Sequence, residues 1–191
     1  MAFIKSILWK CIKAFCYILY PFVVIYYHFL KNGIDEMLGQ YCLNQIRKHG
    51  KGVKIRGIGT FTEGDKISIG DYTKIGKNAY FHSSGGLEIG RNVQMSRNVT
   101  IYTANHNYKS STFIPYDNTE IMERVVICDN VWIGMNVSIL PGVTVGKNSI
   151  IGMNAVISKD VPENAIVVGF NRIIGYRELK TQTKLFGKEF N

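Results

Sequence analysis

A histidine at the end of the segment TANH is the residue of this chain best suited to acid–base chemistry. Imidazole titrates near neutral pH, so His106 can accept a proton from an attacking group. A regular pattern that precedes His106 breaks off there and resumes only at Ile127, which predicts a protruding loop over residues 107–126. A base at the root of such a loop can meet a substrate, although an exposed turn histidine would show the same pattern.

The excess of basic residues lies at the two ends of the chain. The formal net charge is +9, with six basic and two acidic residues in 1–50, twelve and ten in 51–170, and five and two in 171–191. A nucleic-acid groove needs a basic stripe across the folded domain. The nearly neutral middle of this chain therefore argues against nucleic acid as a partner.

Composition also limits the fold class and the compartment. Residues 51–170 hold 16 Ile and 13 Val but two Leu, and β-branched side chains favour strands. A mainly β fold is predicted there, and a helical bundle is excluded. The cysteines show neither a CxxC motif nor Cys/His ligand spacing, which favours a reducing compartment over a disulfide framework or a zinc site: Cys11, Cys16, Cys42, Cys128.

An apolar residue recurs every six residues through the middle of the chain, with a slip after Phe81 and a longer insertion after Ile101. The series is Ile69, Ile75, Phe81, Ile89, Met95, Ile101, Ile127, Ile133, Ile139, Val145, Ile151 and Ile157. Asparagine lies three positions after many of them, at 78, 92, 98, 130, 136, 148 and 154. Because asparagine adopts the left-handed backbone region readily, the spacing predicts a corner in each hexad.

Short strands joined by a corner every six residues form a parallel β-helix. Three hexads close one triangular coil, so four coils are predicted over 69–86, 89–106, 127–144 and 145–162, and Ile55 and Phe61 mark an earlier one. The predicted organisation is an amino-terminal helical segment over 1–50, a β-helix domain over 51–168 with the loop 107–126, and a tail over 169–191.

The amino-terminal segment is strongly apolar. Residues 14–30 contain no Asp, Glu, Lys or Arg, three lysines precede them and Lys31 follows. Seventeen residues are short for a membrane span, and Pro21 is expected to kink a helix. A helix lying on the membrane surface, a helix packed on the protein or its oligomer, and a span are the three interpretations. A second helix is predicted over residues 34–48, because the segment is acidic at its start and basic at its end, as the helix dipole favours.

The runs IGRNVQMSRNVTIYTANHNY and VVICDNVWIGMNVSILPGVTVGKNSIIGMNAVISKDVPENAIVVGF resemble the hexapeptide-repeat acyltransferases, in particular the sugar and polysaccharide O-acetyltransferases. The resemblance implies a left-handed parallel β-helix with an amino-terminal α-helical segment and a protruding loop. It also implies a homotrimer with sites between neighbouring subunits, and acetyl-CoA as co-substrate without a metal. The implied activity is O-acetylation of a sugar hydroxyl in surface polysaccharide assembly.

The resemblance also assigns roles to residues. His106 is the general base, and the backbone N–H of Met135 is the oxyanion donor. The implied CoA contacts are Trp132, Gly134, Met135, Met153, Ser158, Lys159 and either Arg172 or Arg177. The implied acceptor contacts are Asn105, Asn107, Tyr108 and His82. Met135 and Met153 replace small residues of the family, so a different groove shape is expected.

Several of these assignments have an alternative. Trp132 could instead be an aromatic of the trimer contact, and His82 a surface histidine. Lys159 and the two arginines could form a solvated basic face. The stretch Gly-Phe-Asn-Arg at 169–172 is one residue short of the family pattern and lacks its proline, so the sequence does not decide between Arg172 and Arg177.

The same residues can be compared with the requirements of three other functions. N-acetylation of an amino-sugar, or acetylation of a small antibiotic-type molecule, uses the same chemistry. A γ-carbonic anhydrase needs three histidine ligands, whereas His82 and His106 are the two histidines within the repeat. A non-catalytic β-helix scaffold needs neither the TANH nor the SKDVP segment.

Charge around the apolar segment bears on localisation. Three lysines before it favour an inside amino terminus. A span would then place His106 outside, where acetyl-CoA is absent. The expected location is therefore cytoplasmic, with peripheral contact to the inner membrane face through residues 1–31.

Overall fold

The computed structural model describes residues 2–178 and shows two helices followed by a parallel β-helix, which confirms the predicted mainly β fold. Its three sides are named sheets A, B and C in the order in which the chain enters them. Sheet A holds β1 (Lys48–His49), β4 (Ile67–Ile69), β7 (Leu87–Ile89), β12 (Val125–Ile127) and β15 (Thr144–Val145). Sheet B holds β2 (Lys54–Ile55), β5 (Lys74–Ile75), β8 (Gln94–Met95), β13 (Trp132–Ile133), β16 (Ile150–Ile151), β18 (Ala165–Val168) and β19 (Arg172–Tyr176). Sheet C holds β3 (Thr60–Thr62), β6 (Tyr80–His82), β9 (Thr100–Tyr102), β14 (Ser138–Ile139) and β17 (Val156–Ile157).

The six-residue series forms the interior of the β-helix. In sheet B, Ile75 aligns with Met95, Met95 with Ile133, and Ile133 with Ile151, all in parallel register. Sheets A and C repeat this arrangement, and all twelve members of the series are buried. The two-residue slip is the turn Ser83–Gly86 between sheets C and A, where it leaves the register undisturbed.

Two edges of the triangle are built from stacked asparagines. The AB edge, between sheets A and B, carries a ladder in which each side-chain amide donates to the next asparagine at 3.0 Å: Asn92, Asn130, Asn148, Asn164. The BC edge carries a second ladder: Asn78, Asn98, Asn136, Asn154. All eight have positive φ between 55° and 61°, as the corner prediction requires.

The β-helix begins earlier than the repeat series indicates. Ile55 pairs with Ile75 and Phe61 with Phe81, which confirms the predicted earlier coil. Strand β1 completes that coil, because Lys48 pairs with Ser68. The predicted helix over 34–48 is therefore wrong at its end: helix α2 spans Lys31–Asn44, and the backbone of Lys48 is in sheet A instead.

Helix α2 closes the amino-terminal end of the β-helix. Its residues Cys42 and Leu43 are buried in the same core as the hexad residues. The carboxylate of Asp35 pairs with the ammonium of Lys77, and its carbonyl accepts from Gly57 N at 2.8 Å. Gly39 lies so close to sheet B that a Cβ there would stand 1.7 Å from the carbonyl oxygen of Ile55.

Helix α1 spans Ala2–Ile25 and is continuous through Pro21; an irregular π-helical stretch, Tyr26–Leu30, then joins it to α2. Within α1, Ser6–Ile25 is long and apolar enough to cross a membrane, and none of that window is buried against the described chain. Packing of this helix on its own β-helix is therefore not seen. Packing on another copy and contact with a membrane are the two remaining interpretations of this helix.

The insertion after sheet C is a hairpin arm, not a plain loop. Strand β10 (Ala104–His106) pairs antiparallel with β11 (Glu120–Met122), with His106 opposite Glu120. The predicted loop 107–126 is therefore too long at its end, since Val125 and Val126 already lie in β12. Strand pairing satisfies the backbone groups of the arm where it leaves the β-helix.

The described part of the tail folds back on sheet B. Strand β19 pairs antiparallel with β18, which places Arg172 opposite Val168. Predictions for the tail beyond residue 178 lie outside the described residues.

Candidate active site at two edges of the triangle

His106 lies at the CA edge, between sheets C and A, where the arm leaves the β-helix. Its imidazole is exposed and stacks on the ring of Tyr116, with centroids 4.0 Å apart and planes 7° from parallel. Its carbonyl accepts a hydrogen bond from Tyr108 N at 2.8 Å. Within residues 2–178 no hydrogen bond is made by either ring nitrogen, so both are available to a ligand.

Hydrogen bonds hold the two strands of the arm together directly beyond His106. Asn107 donates through Nδ2 to the Asp117 carboxylate at 2.8 Å and through its backbone N–H to Thr119 O at 3.0 Å. The backbone N–H of Thr119 donates to the other Asp117 oxygen at 2.8 Å. This N–H lowers the pKa of the Asp117 carboxyl below its ordinary value, with the Asn107 amide as a further cause. The hydrogen bonds to this carboxyl therefore favour its ionised form.

His82 lies on the same edge, one coil before His106. Its ring stacks on that of Tyr102 with centroids 5.3 Å apart, and the ring centroids of Tyr102 and Tyr80 are 5.6 Å apart. The hydrogen bond with Tyr80 raises the pKa of Tyr102. The Nδ1 of His82 is buried without a partner within the described residues. The structure thus places His82 on the predicted side.

A second group of predicted residues lies at the BC edge. Asn154 N donates to Met135 O at 2.8 Å, which joins the coils that carry Met135 and Met153. Gly134 has a close neighbour, since a Cβ there would stand 2.6 Å from Met153 N. Trp132 and Met153 are exposed, the first on the outer face of sheet B. The backbone N–H groups of Gly134 and Asn136 donate to carbonyls of neighbouring coils. The Met135 N–H between them makes no hydrogen bond to residues 2–178, so it can donate to a ligand.

The structure separates the two candidate arginines. Arg172 pairs with Val168 at the end of β18 that meets the BC edge, on the side of Met153, and its side chain is exposed. Arg177 lies at the AB edge, where its Nη1 donates to Asn148 O at 2.9 Å. Arg172 therefore lies at the same edge as Met153, with β18 between β19 and β16, whereas the Arg177 side chain is hydrogen-bonded within the fold.

Ser158 and Lys159 lie at the CA edge after β17, held by a residue that the sequence did not single out. Asn171 accepts from Ser158 N at 2.6 Å and donates through Nδ2 to Lys159 O at 3.0 Å. Its φ of 52° is the left-handed value that recurs at the asparagine corners. The sequence signal that could have identified Asn171 is that it is an asparagine near the repeats but outside their six-residue spacing.

One chain divides the predicted site between opposite ends of sheet C. The CA edge carries His82, Asn105, His106, Asn107, Tyr108, Ser158 and Lys159, whereas the BC edge carries Gly134, Met135, Met153 and Arg172 with Trp132 beside it. Because Met135 lies at the BC edge and His106 at the CA edge, sheet C separates the proposed base from the proposed oxyanion donor within a single chain. Among residues 2–178, no cluster of three or more His, Cys, Asp or Glu side chains is placed to hold a metal ion.

Two family models match the repeat region. The model described as bacterial transferase hexapeptide (six repeats) matches residues 124–159, and the model described as hexapeptide repeat of succinyl-transferase matches residues 66–103. The two matches flank the arm. They cover the hexads that the sequence series identifies on both sides of it.

Longer alignments with individual proteins extend the similarity. A protein of Escherichia coli named "Putative lipopolysaccharide biosynthesis O-acetyl transferase WbbJ" is 32% identical over 139 residues, which cover 69% of this chain and 67% of that protein. A maltose O-acetyltransferase structure from Clostridium difficile superposes with a TM-score of 0.66 at 33% identity, over 73% of this chain and 74% of that one. A hexapeptide-repeat containing acetyltransferase of Vibrio cholerae, complexed with acetyl-coenzyme A, superposes with a TM-score of 0.62 at 28% identity, over 75% and 87%.

Other matches are shorter. The chain spans about half the length of two proteins named "Putative acetyltransferase", 53% of the one from Saccharomyces cerevisiae and 52% of the one from Schizosaccharomyces pombe.

Proposed function

Because the chain belongs to the hexapeptide-repeat acetyltransferases, we propose that it transfers an acetyl group from acetyl-CoA to a sugar hydroxyl, with His106 as general base. The observation that carries the proposal is the exposed imidazole at the root of the arm, with both ring nitrogens unoccupied by residues 2–178. Two similar proteins are named as a maltose O-acetyltransferase and as a putative lipopolysaccharide biosynthesis O-acetyl transferase. These names support a sugar as the acceptor.

The proposed reaction is a direct transfer. His106 takes the proton of the acceptor hydroxyl while that oxygen attacks the thioester carbonyl. The backbone N–H of Met135 donates to the oxyanion that forms. The carbon–sulfur bond then breaks, the thiolate of CoA leaves, and the imidazolium returns its proton to the sulfur. No covalent enzyme intermediate and no metal ion is needed for this balance.

Assembly of the site from two copies follows from the separation of its residues. The CA edge of one copy would supply His106, and the BC edge of its neighbour would supply Met135, Met153 and Arg172. We propose a homotrimer in which three such edge pairs form three sites. The exposed apolar side chains of Trp132 and Met153 suit the pantetheine arm, and Arg172 suits a phosphate group.

The two arginines provide a matched pair for the CoA contact. Arg172→Ala is expected to raise the KM for acetyl-CoA roughly tenfold, which is the loss of one charge-assisted hydrogen bond to phosphate. Arg177→Ala is expected to leave that KM within about twofold and to lower the stability of the fold. Steady-state kinetics at low and high salt, with thermal melting, distinguishes them, and a KM effect confined to Arg177→Ala would exclude the assignment.

Helix α1 is proposed as a contact to the inner membrane surface. The apolar side chains of its Ser6–Ile25 window are not covered by the described chain, and Lys10 and Lys13 lie in its amino-terminal half. We expect the double substitution Ile18→Asp and Phe22→Asp to reduce sedimentation with anionic lipid vesicles at least about tenfold, because charged side chains are costly in lipid. The control is Met37→Asp, at an exposed position of α2. Equal binding of all three proteins would argue against the membrane contact.

The acceptor is tested by a screen. The protein is incubated with acetyl-CoA and nucleotide-sugars, lipid-linked glycans, free oligosaccharides or amino-sugars, and release of the CoA thiol is measured. Thiol release with a sugar that has only hydroxyl groups supports O-acetylation. Release confined to amino-sugars would instead favour the N-acetyltransferase alternative, and release with none would count against both.

A further inference from the structure

The ring of Tyr116 is the neighbour of the His106 imidazole in the arm. Their centroid distance of 4.0 Å and interplanar angle of 7° describe a parallel stack, which is attractive between aromatic rings. With no hydrogen bond from residues 2–178 to either nitrogen of His106, this stack is what restrains the plane of the imidazole. The carboxylate or carbonyl that usually orients a catalytic histidine is replaced here by a ring face.

The backbone next to both rings is tied together. Asn107 follows His106, Asp117 follows Tyr116, and these two side chains are hydrogen-bonded at 2.8 Å. Thr119 is bonded to each of them: its N–H donates to Asp117 Oδ1 at 2.8 Å, and its carbonyl accepts from Asn107 N at 3.0 Å. The distance between the two rings is therefore set by a hydrogen-bonded clasp of three residues, Asn107, Asp117 and Thr119.

We propose that Tyr116 is a positioning residue, which holds the imidazole of His106 in the plane that directs a ring nitrogen at the acceptor hydroxyl. The clasp holds Tyr116 in place for this role. The stack covers one face of the imidazole and leaves its edge, where the nitrogens lie, open to the substrate. The inference rests on the proposed role of His106 as base.

Kinetics of three variants tests the role. Tyr116→Ala is expected to lower kcat about 10- to 100-fold, because a misplaced base loses rate without losing substrate binding, and to leave both KM values within about threefold. Tyr116→Phe keeps the stacking ring and is expected to restore kcat to within about threefold of the wild type. Phe113→Ala, at an exposed position of the same arm, is the control and should retain full activity.

Other outcomes would overturn the proposal. An unchanged kcat in Tyr116→Ala removes the role altogether. A Tyr116→Phe variant as slow as Tyr116→Ala would mean that the phenolic hydroxyl acts on the substrate. A rise in the KM for the acceptor with constant kcat would make Tyr116 a binding residue.

A spectroscopic measurement keeps this test separate from the proposed function. In protein labelled with ¹³C-histidine, the ring signal of His106 is assigned by its loss in His106→Gln. Because the imidazole lies over the Tyr116 ring, this signal is expected to show a ring-current shift. Tyr116→Ala is expected to remove that shift and Tyr116→Phe to keep it. If the signal does not respond to Tyr116→Ala, the stack is absent. If it responds while His106→Gln transfers acetyl groups normally, the stack exists and the assignment of His106 as base is the part that fails.

Discussion

Replacing His106 with alanine is expected to lower the rate of acetyl transfer by about 10²- to 10⁴-fold, the usual contribution of a positioned general base. The side chain is exposed and makes no hydrogen bond within the described chain, so its removal leaves the β-helix core intact. The KM for acetyl-CoA should stay within a few-fold, because the proposed contacts of Trp132, Met153 and Arg172 with CoA do not involve the imidazole. The measurement is the initial rate of CoA thiol release with an acceptor, together with the melting temperature.

A second histidine supplies the control for this experiment. His49 is exposed in strand β1, at the amino-terminal end of the β-helix, and it contacts the carbonyl of its own neighbour Gly50. His49→Ala is expected to retain full activity. Full activity of His106→Ala would remove the base from the mechanism, and equal losses in both variants would indicate a non-specific effect.

Replacing Gly39 with alanine is expected to displace helix α2 and to lower the free energy of unfolding by about 1–3 kcal/mol or more, the range found for overpacked interiors. The added Cβ would stand 1.7 Å from the carbonyl oxygen of Ile55, which is backbone of the β-helix and cannot turn aside. Because α2 covers the first coil with Cys42 and Leu43, its displacement also exposes core. Thermal melting of the full chain should show a lower midpoint.

Gly33 is the matched control in the same helix. Apart from its own helix backbone, no atom of the described residues would lie within 4 Å of a Cβ at this position. Alanine is a better helix former than glycine, so Gly33→Ala is expected to be neutral or to stabilise the chain by up to about 1 kcal/mol. If Gly39→Ala melts like Gly33→Ala, the close contact between α2 and sheet B is not present in solution.

The coils could be predicted because each hexad repeats the same physical requirements. One inward residue such as Ile133 must be apolar, and one corner residue such as Asn136 must tolerate positive φ. These requirements recur at fixed spacing, so both side-chain burial and sheet register follow from the series. The end of helix α2 could not be predicted in this way. Lys48 is a residue that favours helices, but it pairs with Ser68 in sheet A.

The site could be predicted in part. The break after His106 shows that the chain leaves the β-helix, but the hairpin arm and the stack on Tyr116 depend on contacts between residues with no periodic relation. The choice between Arg172 and Arg177 depends on how β19 reverses along β18, which sequence similarity at 169–172 does not encode. Division of the site between the two ends of sheet C becomes visible only when the edges are assigned in three dimensions.

The most direct test of the central claim is the chemical linkage of the product. With acetyl-CoA labelled in the acetyl group and an acceptor from the screen, the wild-type protein is expected to yield an acetyl group bound to a sugar oxygen, which mild alkali releases and NMR places on a hydroxyl carbon. An alkali-stable acetyl amide on a sugar nitrogen, or no labelled sugar although acetyl-CoA is bound, would contradict O-acetylation by this protein.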